Sequence, residues 1–542
     1  MNVPQAVAEV LKREGVEFLL AYPVNRIIDA AAALDIRPII VRQERTGLHM
    51  ADAISRVTSG RKLGVFCMQF GPGTENSYGG IAQAYSESVP ILVIPSGYPR
   101  KIAHVQPNFN AVASMRNITK RAEPVLLPNE VGNVMRRAFS ALRNGRGGPA
   151  LVEIPNDIVR SDLTEALEYE PVAHTRYGAD PADVAAAARL LVAAQRPVIH
   201  AGQGVHYAQA WPQLRRLAEL LAAPVMTTLG GKSAFPEDHP LSLGSGGNAY
   251  PATVSSFLQK ADVIFGIGCS FTETSYASAI PKGRKIIHAT LDPDHLNKDV
   301  ATTIALVGDA ALVLDALIGE IETLLPGRRD GSAVEAEVDA TRRAWLAQWL
   351  PKLTSDATPL SPYRVIWDLL HTVDVSNTII THDAGSPRDQ LSPFWTTAAP
   401  LTYLGWGKTT QLGYGLGLTM GAKLAMPDKL CVNVWGDAAI GFTGMDFETA
   451  VRERIPILSI LLNNFSMAIE IPIMPISTEK YRSTDISGNY AEMARAFGGY
   501  GERISDPNEI VPAIRRGIEQ TQAGKPALLE FLTAKETEIS RP

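Results

Sequence analysis

Cysteine is scarce, with only Cys67, Cys269 and Cys431 in a chain of 542 residues. Each lies in an apolar run, as in Val65-Phe66-Cys67-Met68, which predicts buried thiols in a reducing compartment and excludes a disulfide framework or a zinc site. A surplus of one charge sign is also missing. Lys and Arg number 51 against 56 Asp and Glu, a net of −5 without long blocks of either sign. A concentrated positive face is therefore not expected, and with it no nucleic-acid partner and no polybasic membrane contact. The longer uncharged stretches, such as 390–407, are broken by Pro and Gly and do not read as membrane spans. Met1 to Gly15 lacks the basic start and continuous apolar stretch of a signal peptide; Glu9, Lys12, Arg13 and Glu14 interrupt apolar residues at helical spacing. The expectation is a soluble, cytoplasmic protein. With 46% hydrophobic and 20% charged residues the chain can bury enough surface to offset its ordering entropy, so extended disorder is excluded.

At roughly 100–200 residues per domain the length predicts three domains. Short β-rich runs alternate with amphipathic helical stretches, the pattern of parallel α/β layers. In the region 1–165, Pro38–Val41, Leu63–Cys67, Ile91–Ile94 and Ala150–Ile154 read as buried strands, and the polar residues 161–180 as a linker. A second unit, 185–325, has strands at Pro197–His200, Val263–Gly268 and Lys285–His288. A helical stretch around Glu335–Trp349 and a Pro-rich segment lead to a third unit, 360–542, with strands at Thr378–Thr381, Leu430–Trp435, Ile457–Leu462 and Ala527–Phe531. Three open parallel sheets of Rossmann-like α/β type are expected.

The most informative segment leaves the strand Val432–Trp435 as Gly436-Asp437-Ala438-Ala439, and Asn463-Asn464 ends the next strand 26 residues after Asp437. In open α/β sheets ligands bind beyond the carboxyl ends of strands, so both segments deliver oxygen ligands to one crevice. An Asp carboxylate, an Asn amide oxygen and a backbone carbonyl suit a hard cation such as Mg²⁺ that retains phosphate oxygens. The small residues Gly436, Ala438 and Ala439 allow backbone N–H groups to approach a diphosphate at a helix start.

This constellation resembles the thiamine-diphosphate motif, and the resemblance extends over nearly the whole chain. The sequence is similar to the acetolactate synthase, pyruvate decarboxylase and 2-hydroxyacyl-CoA lyase group of thiamine-diphosphate enzymes. The resemblance implies pyrimidine-binding, central and diphosphate-binding domains in that order. It also implies Mg²⁺ held by Asp437, Asn464 and the backbone oxygen of Ser466. Ala438 departs from the family pattern, which has a second Gly there; a methyl group fits if φ is negative. Glu44 falls at the family's activating carboxylate, with Gly71-Pro72-Gly73 and Asn76 following as its usual turn. Such a carboxylate, hydrogen-bonded to the cofactor's pyrimidine, favours the imino tautomer that deprotonates the thiazolium carbon, and in a dry site its own pKa rises. Leu412 corresponds to the apolar wedge beneath the bent cofactor, and the Thr410 carbonyl to an acceptor for its amino group. Ser386 stands where a hydroxyl could donate to the diphosphate or cap a helix.

On the substrate side the resemblance points to Glu470 as an acid/base group, the rival being a helix-start Glu favoured by the dipole. Gln69 and Gln106 correspond to pocket positions, against ordinary loop roles. Relatives hold FAD, ADP or nothing in the central domain; Gly244-Ser245-Gly246-Gly247 and Gly266-Ile267-Gly268 are compatible with a nucleotide and equally with plain Rossmann-like turns. A homodimer with an active site between chains, and a tetramer beyond it, are implied as well. Attack of the thiazolium carbanion on a carbonyl, C–C cleavage and an enamine would follow. The expected activity is acetolactate-synthase-like carboligation of a 2-oxo acid. The alternatives are a 2-hydroxyacyl-CoA lyase acting on an acyl-CoA and releasing formyl-CoA, an inactive cofactor-binding homologue, and a flavin or NAD oxidoreductase.

Overall fold

The runs that alternate least in polarity become the central strands, because a parallel sheet covered on both faces buries every residue. The computed structural model describes residues Met1–Pro542. Its first sheet contains β1 (Phe18–Ala21), β2 (Arg37–Ile40), β3 (Gly64–Met68), β4 (Ile91–Gly97), β5 (Arg121–Pro124) and β6 (Ala150–Pro155), in the order β2-β1-β3-β4-β6-β5. The second contains β7 (Pro197–Ala201), β8 (Val225–Thr227), β9 (Ser242–Ser245), β10 (Val263–Ile267), β11 (Lys285–Thr290) and β12 (Ile304–Val307), ordered β12-β11-β10-β7-β8-β9. The third contains β13 (Thr378–His382), β14 (Tyr403–Leu404), β15 (Leu430–Gly436), β16 (Leu458–Asn463), β17 (Tyr500–Ile504) and β18 (Ala527–Leu532), ordered β14-β13-β15-β16-β18-β17. All strand pairs are parallel. The expected class of three open parallel α/β sheets is what the chain forms.

The order reverses between β1 and β3, between β7 and β10, and between β13 and β15, and the first and third sheets reverse again where β6 and β18 insert beside their edge strands. These reversals open crevices at the carboxyl ends of the flanking strands, where α/β sheets bind ligands.

Contacts divide the chain into two compact units. The first is Met1–Thr175 with Gly413–Asp428 and Phe442–Ile455; the second is Arg176–Leu412 with Lys429–Gly441 and Pro456–Pro542. Two segments flanking β15 in sequence thus group with the first sheet.

Within the first unit, one face of the sheet packs Val65, Cys67, Leu92 and Ile94 against Val134, Met135 and Phe139 of the helix Val131–Arg143. The helix Glu44–Val57 is buried along nearly its whole length, and the helix Tyr414–Ala425 lies against it at backbone distance. A Cβ on Gly417 would stand 2.4 Å from His49 Cβ, and one on Gly421 2.2 Å from the Met50 carbonyl oxygen. Glycine is needed at both positions for that approach. Within the second unit, Phe265, Ile267, Ile287 and Leu306 anchor one core, and Val432, Val434, Ile460, Leu529 and Phe531 another.

The three cysteines are free and buried. Burial pushes the Cys269 thiol up to about 12 and Cys67 higher still, so neither is a reactive thiolate. No helix is long and apolar enough to cross a membrane.

Candidate active site

In the second unit, three strand ends meet at one crevice. β13 ends in Asp383-Ala384-Gly385 and turns into the short helix Ser386–Leu391. β15 ends at Gly436 and passes directly into the helix Asp437–Thr443. β16 ends at Asn463, followed by Asn464, Phe465 and Ser466. The two loops flanking the sheet reversal touch: a Cβ on Gly436 would lie 3.7 Å from Pro387.

Asp437 is 4% exposed. Its Oδ1 accepts the Ala438 N–H (2.9 Å) and its Oδ2 the Ser466 N–H (3.1 Å). The Ser466 N–H also reaches Asn464 Oδ1 (2.9 Å), so the carboxylate and the amide oxygen converge on one hydrogen. Burial raises the Asp437 carboxyl above its ordinary value, and the N–H groups of Ser466, Ala438, Asn464 and Phe465 pull it back in part. The Ser466 hydroxyl is buried without a partner. One carboxylate, one amide oxygen and a neighbouring backbone carbonyl form a hard-oxygen donor set, which fits a magnesium ion sharing its shell with phosphate. No cluster of three or more His, Cys, Asp or Glu is arranged for a metal.

Ala438 lies inside the helix Asp437–Thr443 and is not among the residues with positive φ. The methyl group in place of the family glycine is therefore unstrained. Ala439 is buried one residue further along the same helix. Ser386 is the first residue of its helix, whose cap is Gly385 at φ +78°, with no side-chain capping bond. The helix-cap alternative for Ser386 is thereby removed.

Glu44 belongs to the first unit. It opens the helix Glu44–Val57 after β2 and is 4% exposed. Asn76 Nδ2 donates to its Oε2 (3.4 Å). A Cβ on Gly73 would sit 3.3 Å from Glu44 Oε1 and 2.9 Å from Gln69 Cγ, so the Gly-Pro-Gly turn lets the next helix start against the carboxylate. Burial is the largest influence raising the Glu44 pKa; the nearby Asp446 carboxylate adds to it, while a backbone N–H and Asn76 oppose it.

The remaining positions are less tightly framed. Gln69 is half-buried directly after β3, whereas Gln106 is exposed in the loop before the helix Ala111–Met115. Thr410 and Leu412 are half-buried in the segment leading to Gly413, whose φ is +84°. Glu470 closes a 3₁₀ turn, Ala468–Glu470, and its N–H bonds the Met467 carbonyl (3.0 Å). Glu470 lies in the first turn of this three-residue element, so the helix-start reading of the residue stands beside the acid/base one. A Cβ on Gly385 would lie 3.5 Å from Ile469 Cδ1, so this turn adjoins the Ser386 loop.

In the central sheet, a Cβ on Gly202 would meet the Gly268 carbonyl oxygen at 2.4 Å, and one on Gly204 would meet Gly268 Cα at 2.6 Å. Contact between the two turns accounts for glycine at Gly202, Gly204 and Gly268.

Sequence reasoning missed several supports. Asp446 accepts from Arg42 N (2.7 Å), Thr46 Oγ1 (2.6 Å) and Thr449 Oγ1 (2.9 Å) and so fixes the helix start that bears Glu44. Glu530, fully buried, accepts from Asn463 Nδ2 (2.7 Å), Ala491 N (2.9 Å) and Arg503 Nη2 (2.7 Å). Asn463 Oδ1 in turn accepts the Phe465 N–H (3.0 Å), which steadies Phe465 at φ +57° and aims the Asn464–Ser466 loop. A charged residue inside the apolar run Ala527–Phe531 is the one signal that could have exposed Glu530.

Comparison with known proteins gives matches to three family descriptions. Residues 1–115 match "Thiamine pyrophosphate enzyme, N-terminal TPP binding domain", 184–317 match "Thiamine pyrophosphate enzyme, central domain", and 383–531 match "Thiamine pyrophosphate enzyme, C-terminal TPP binding domain". Similar curated proteins include a probable acetolactate synthase large subunit from Methanococcus aeolicus, 28% identical over 98% of this chain and 92% of the relative. The acetolactate synthase isozyme 3 large subunit of Escherichia coli (strain K12) is 27% identical over 96% and 92%. The acetolactate synthase of Mycobacterium bovis is 27% identical over 99% and 88%.

Proposed function

From a chain that belongs to the thiamine pyrophosphate enzyme family, we propose an acetolactate-synthase-like carboligase that acts on a 2-oxo acid with thiamine diphosphate and Mg²⁺. The observation that carries this reading is the convergence of Asp437 and Asn464 oxygens on the Ser466 N–H, at the reversal of a parallel sheet. The likeness to acetolactate synthases over nearly the whole chain supports the choice of branch.

Bound thiamine diphosphate supplies a nucleophilic thiazolium carbon and a sink for the electrons of the bond that breaks. In this reading Asp437, Asn464 and the Ser466 carbonyl hold the magnesium ion. The N–H groups of Gly436, Ala438 and Ala439, with the Ser386 hydroxyl, take the diphosphate. Glu44 holds or gives up a proton at its carboxyl, facing a ring nitrogen of the pyrimidine, and its burial, by raising the carboxyl's pKa, favours the protonated form. The Thr410 carbonyl accepts from the amino group and Leu412 supports the folded cofactor. Glu470 moves protons at the reacting carbon, and Gln69 and Gln106 bind substrate polar atoms. Glu44 of one chain serves the Asp437 loop of another, so a homodimer is the smallest active form and a tetramer its natural extension. The inactive-homologue reading rested on Ala438 alone, and its helical backbone removes that ground.

The test is direct. Purified protein with Mg²⁺ and thiamine diphosphate is fed pyruvate and, separately, a 2-hydroxyacyl-CoA. Acetolactate from pyruvate is expected. Formyl-CoA from the thioester would reassign the enzyme to the lyase branch, and heat-free calorimetric titration of the cofactor would overturn the reading altogether.

A further inference from the structure

Arg388, second residue after Ser386, is 2% exposed. Its Nε and Nη2 grip Asp389 (2.8 and 3.0 Å), and Asp389 Oδ2 also accepts from Asn248 Nδ2 (2.6 Å). The guanidinium lies 4.7 Å from the centroid of the Tyr276 ring, which covers one face. Its third nitrogen, Nη1, is buried with no partner. An unsatisfied guanidinium nitrogen in a dry site is costly, and such an orphan calls for an acceptor that the chain itself lacks.

The surroundings say where that acceptor comes from. Asn248, Tyr276, Arg388 and Gly407 follow β9, β10, β13 and β14, so all four stand at carboxyl ends of strands, the side on which these sheets bind ligands. A Cβ on Gly407 would lie 3.9 Å from Nη1 and 3.4 Å from Leu229 Cδ2, so the open nitrogen faces the loop that continues to Thr410 and Leu412. Pro387, the preceding residue, packs beside Gly436. Arg388 therefore reaches the same crevice from a direction distinct from the Asp437–Asn464 oxygens.

We infer that Arg388 Nη1 is a substrate-recognition group that binds the carboxylate of the 2-oxo acid. The inference rests on the reading above. With Nε and Nη2 committed to Asp389, the guanidinium is held rigidly and offers one arm for a charge-assisted bond, which is strongest to an anionic oxygen. Asp389, Asn248 and Tyr276 act as positioning residues for that arm.

The test uses the holoenzyme with pyruvate as the probe. Two variants are compared with wild type: Arg388→Lys, which keeps a charge but cannot grip Asp389 and a carboxylate together, and Arg388→Met combined with Asp389→Asn, which removes the buried pair as a unit. Both should raise KM for pyruvate by about ten- to hundredfold while kcat changes by less than about threefold. The dissociation constant of thiamine diphosphate, followed by tryptophan fluorescence in Mg²⁺, should stay constant. In wild-type protein, neutral pyruvamide should inhibit at least about tenfold more weakly than pyruvate binds, a readout that requires no variant to fold. An unchanged KM in the variants, or equal affinity for pyruvamide and pyruvate, overturns the assignment. A cofactor constant that rises in step with KM also overturns it and gives Nη1 to the diphosphate. Failure of the parent reading is distinguishable, because wild-type protein would then turn over no 2-oxo acid at all.

Discussion

Glu44 has reason to keep its proton: it is almost completely buried, its side-chain donor Asn76 stands at 3.4 Å, and the Asp446 carboxylate repels its charge. Glu44→Gln preserves shape and removes the exchangeable charge, so kcat should fall about 10²-fold or more while cofactor affinity changes little, as measured by steady-state kinetics beside a fluorescence titration. Wild-type kcat in that variant would strip Glu44 of its role. A second carboxyl gives a stability prediction. Burial pushes Glu153, on β6, from 4.5 up to about 7. Between those values the folded chain keeps a proton that the unfolded chain has lost, so stability falls as pH rises through this window and levels off above it. Glu153→Gln should flatten the fall in melting temperature between pH 5 and pH 8, and an unchanged slope would contradict the assignment. At this scale the sequence was readable where a residue's neighbours are local. Asp437, Ala438 and Asn464 lie within strand-end segments whose own order announces them. Asp446 and Glu530 were not readable, because each takes its meaning from donors brought by other elements, Thr46 and Arg42 for one, Asn463 and Arg503 for the other.

Gly413, Gly417 and Gly421 recur every fourth residue through the helix Tyr414–Ala425 and its cap, placing a groove along one side of it. The helix Glu44–Val57 fills that groove so closely that a methyl group at position 417 or 421 would overlap backbone or Cβ atoms. Gly417→Ala or Gly421→Ala should therefore destabilise the first unit by about 1–3 kcal/mol or more, since both helices must part to admit the methyl. Gly319 supplies the contrast: it lies in the helix Ala310–Leu324 with nothing within 4 Å of a built Cβ. Gly319→Ala should raise stability by about 0.5–1 kcal/mol from helix propensity alone. Thermal melts of the three variants test both statements, and equal melting temperatures would refute them. Elements themselves were legible in proportion to their burial. The apolar runs of β3, β4, β7, β10, β15, β16 and β18 announce central strands. The edge strands β5, Arg-Ala-Glu-Pro, and β17, Tyr-Gly-Glu-Arg-Ile, carry charges because one side faces solvent, and β8 and β14 are too short to show any period.

The first and third sheets repeat one strand order: counted from their own first strands, both run second, first, third, fourth, sixth, fifth. The sequence shows only that both are parallel α/β layers, because a shared topology fixes which strands adjoin without fixing which side chains they carry. The duplication bears on assembly. One copy of the fold presents Glu44 after its second strand; the other presents Asp437 after its third strand and Asn464 after its fourth. If a cofactor is held by Glu44 of one chain and Asp437 of another, a defect in either residue is confined to half of each site. Chains carrying Glu44→Gln and chains carrying Asp437→Asn should each be nearly inactive alone. Co-expressed in equal amounts, they pair at random, and each mixed dimer contains one site with both native residues and one with neither. Activity should then recover to about one quarter of the wild-type value per chain, because half of the dimers are mixed and half of their sites are intact. A site built within a single chain predicts no recovery, since every site would lack one of the two carboxylates whatever the partner. Steady-state rates of the two separate variants and of their co-expressed mixture, compared at one total protein concentration, decide between the arrangements.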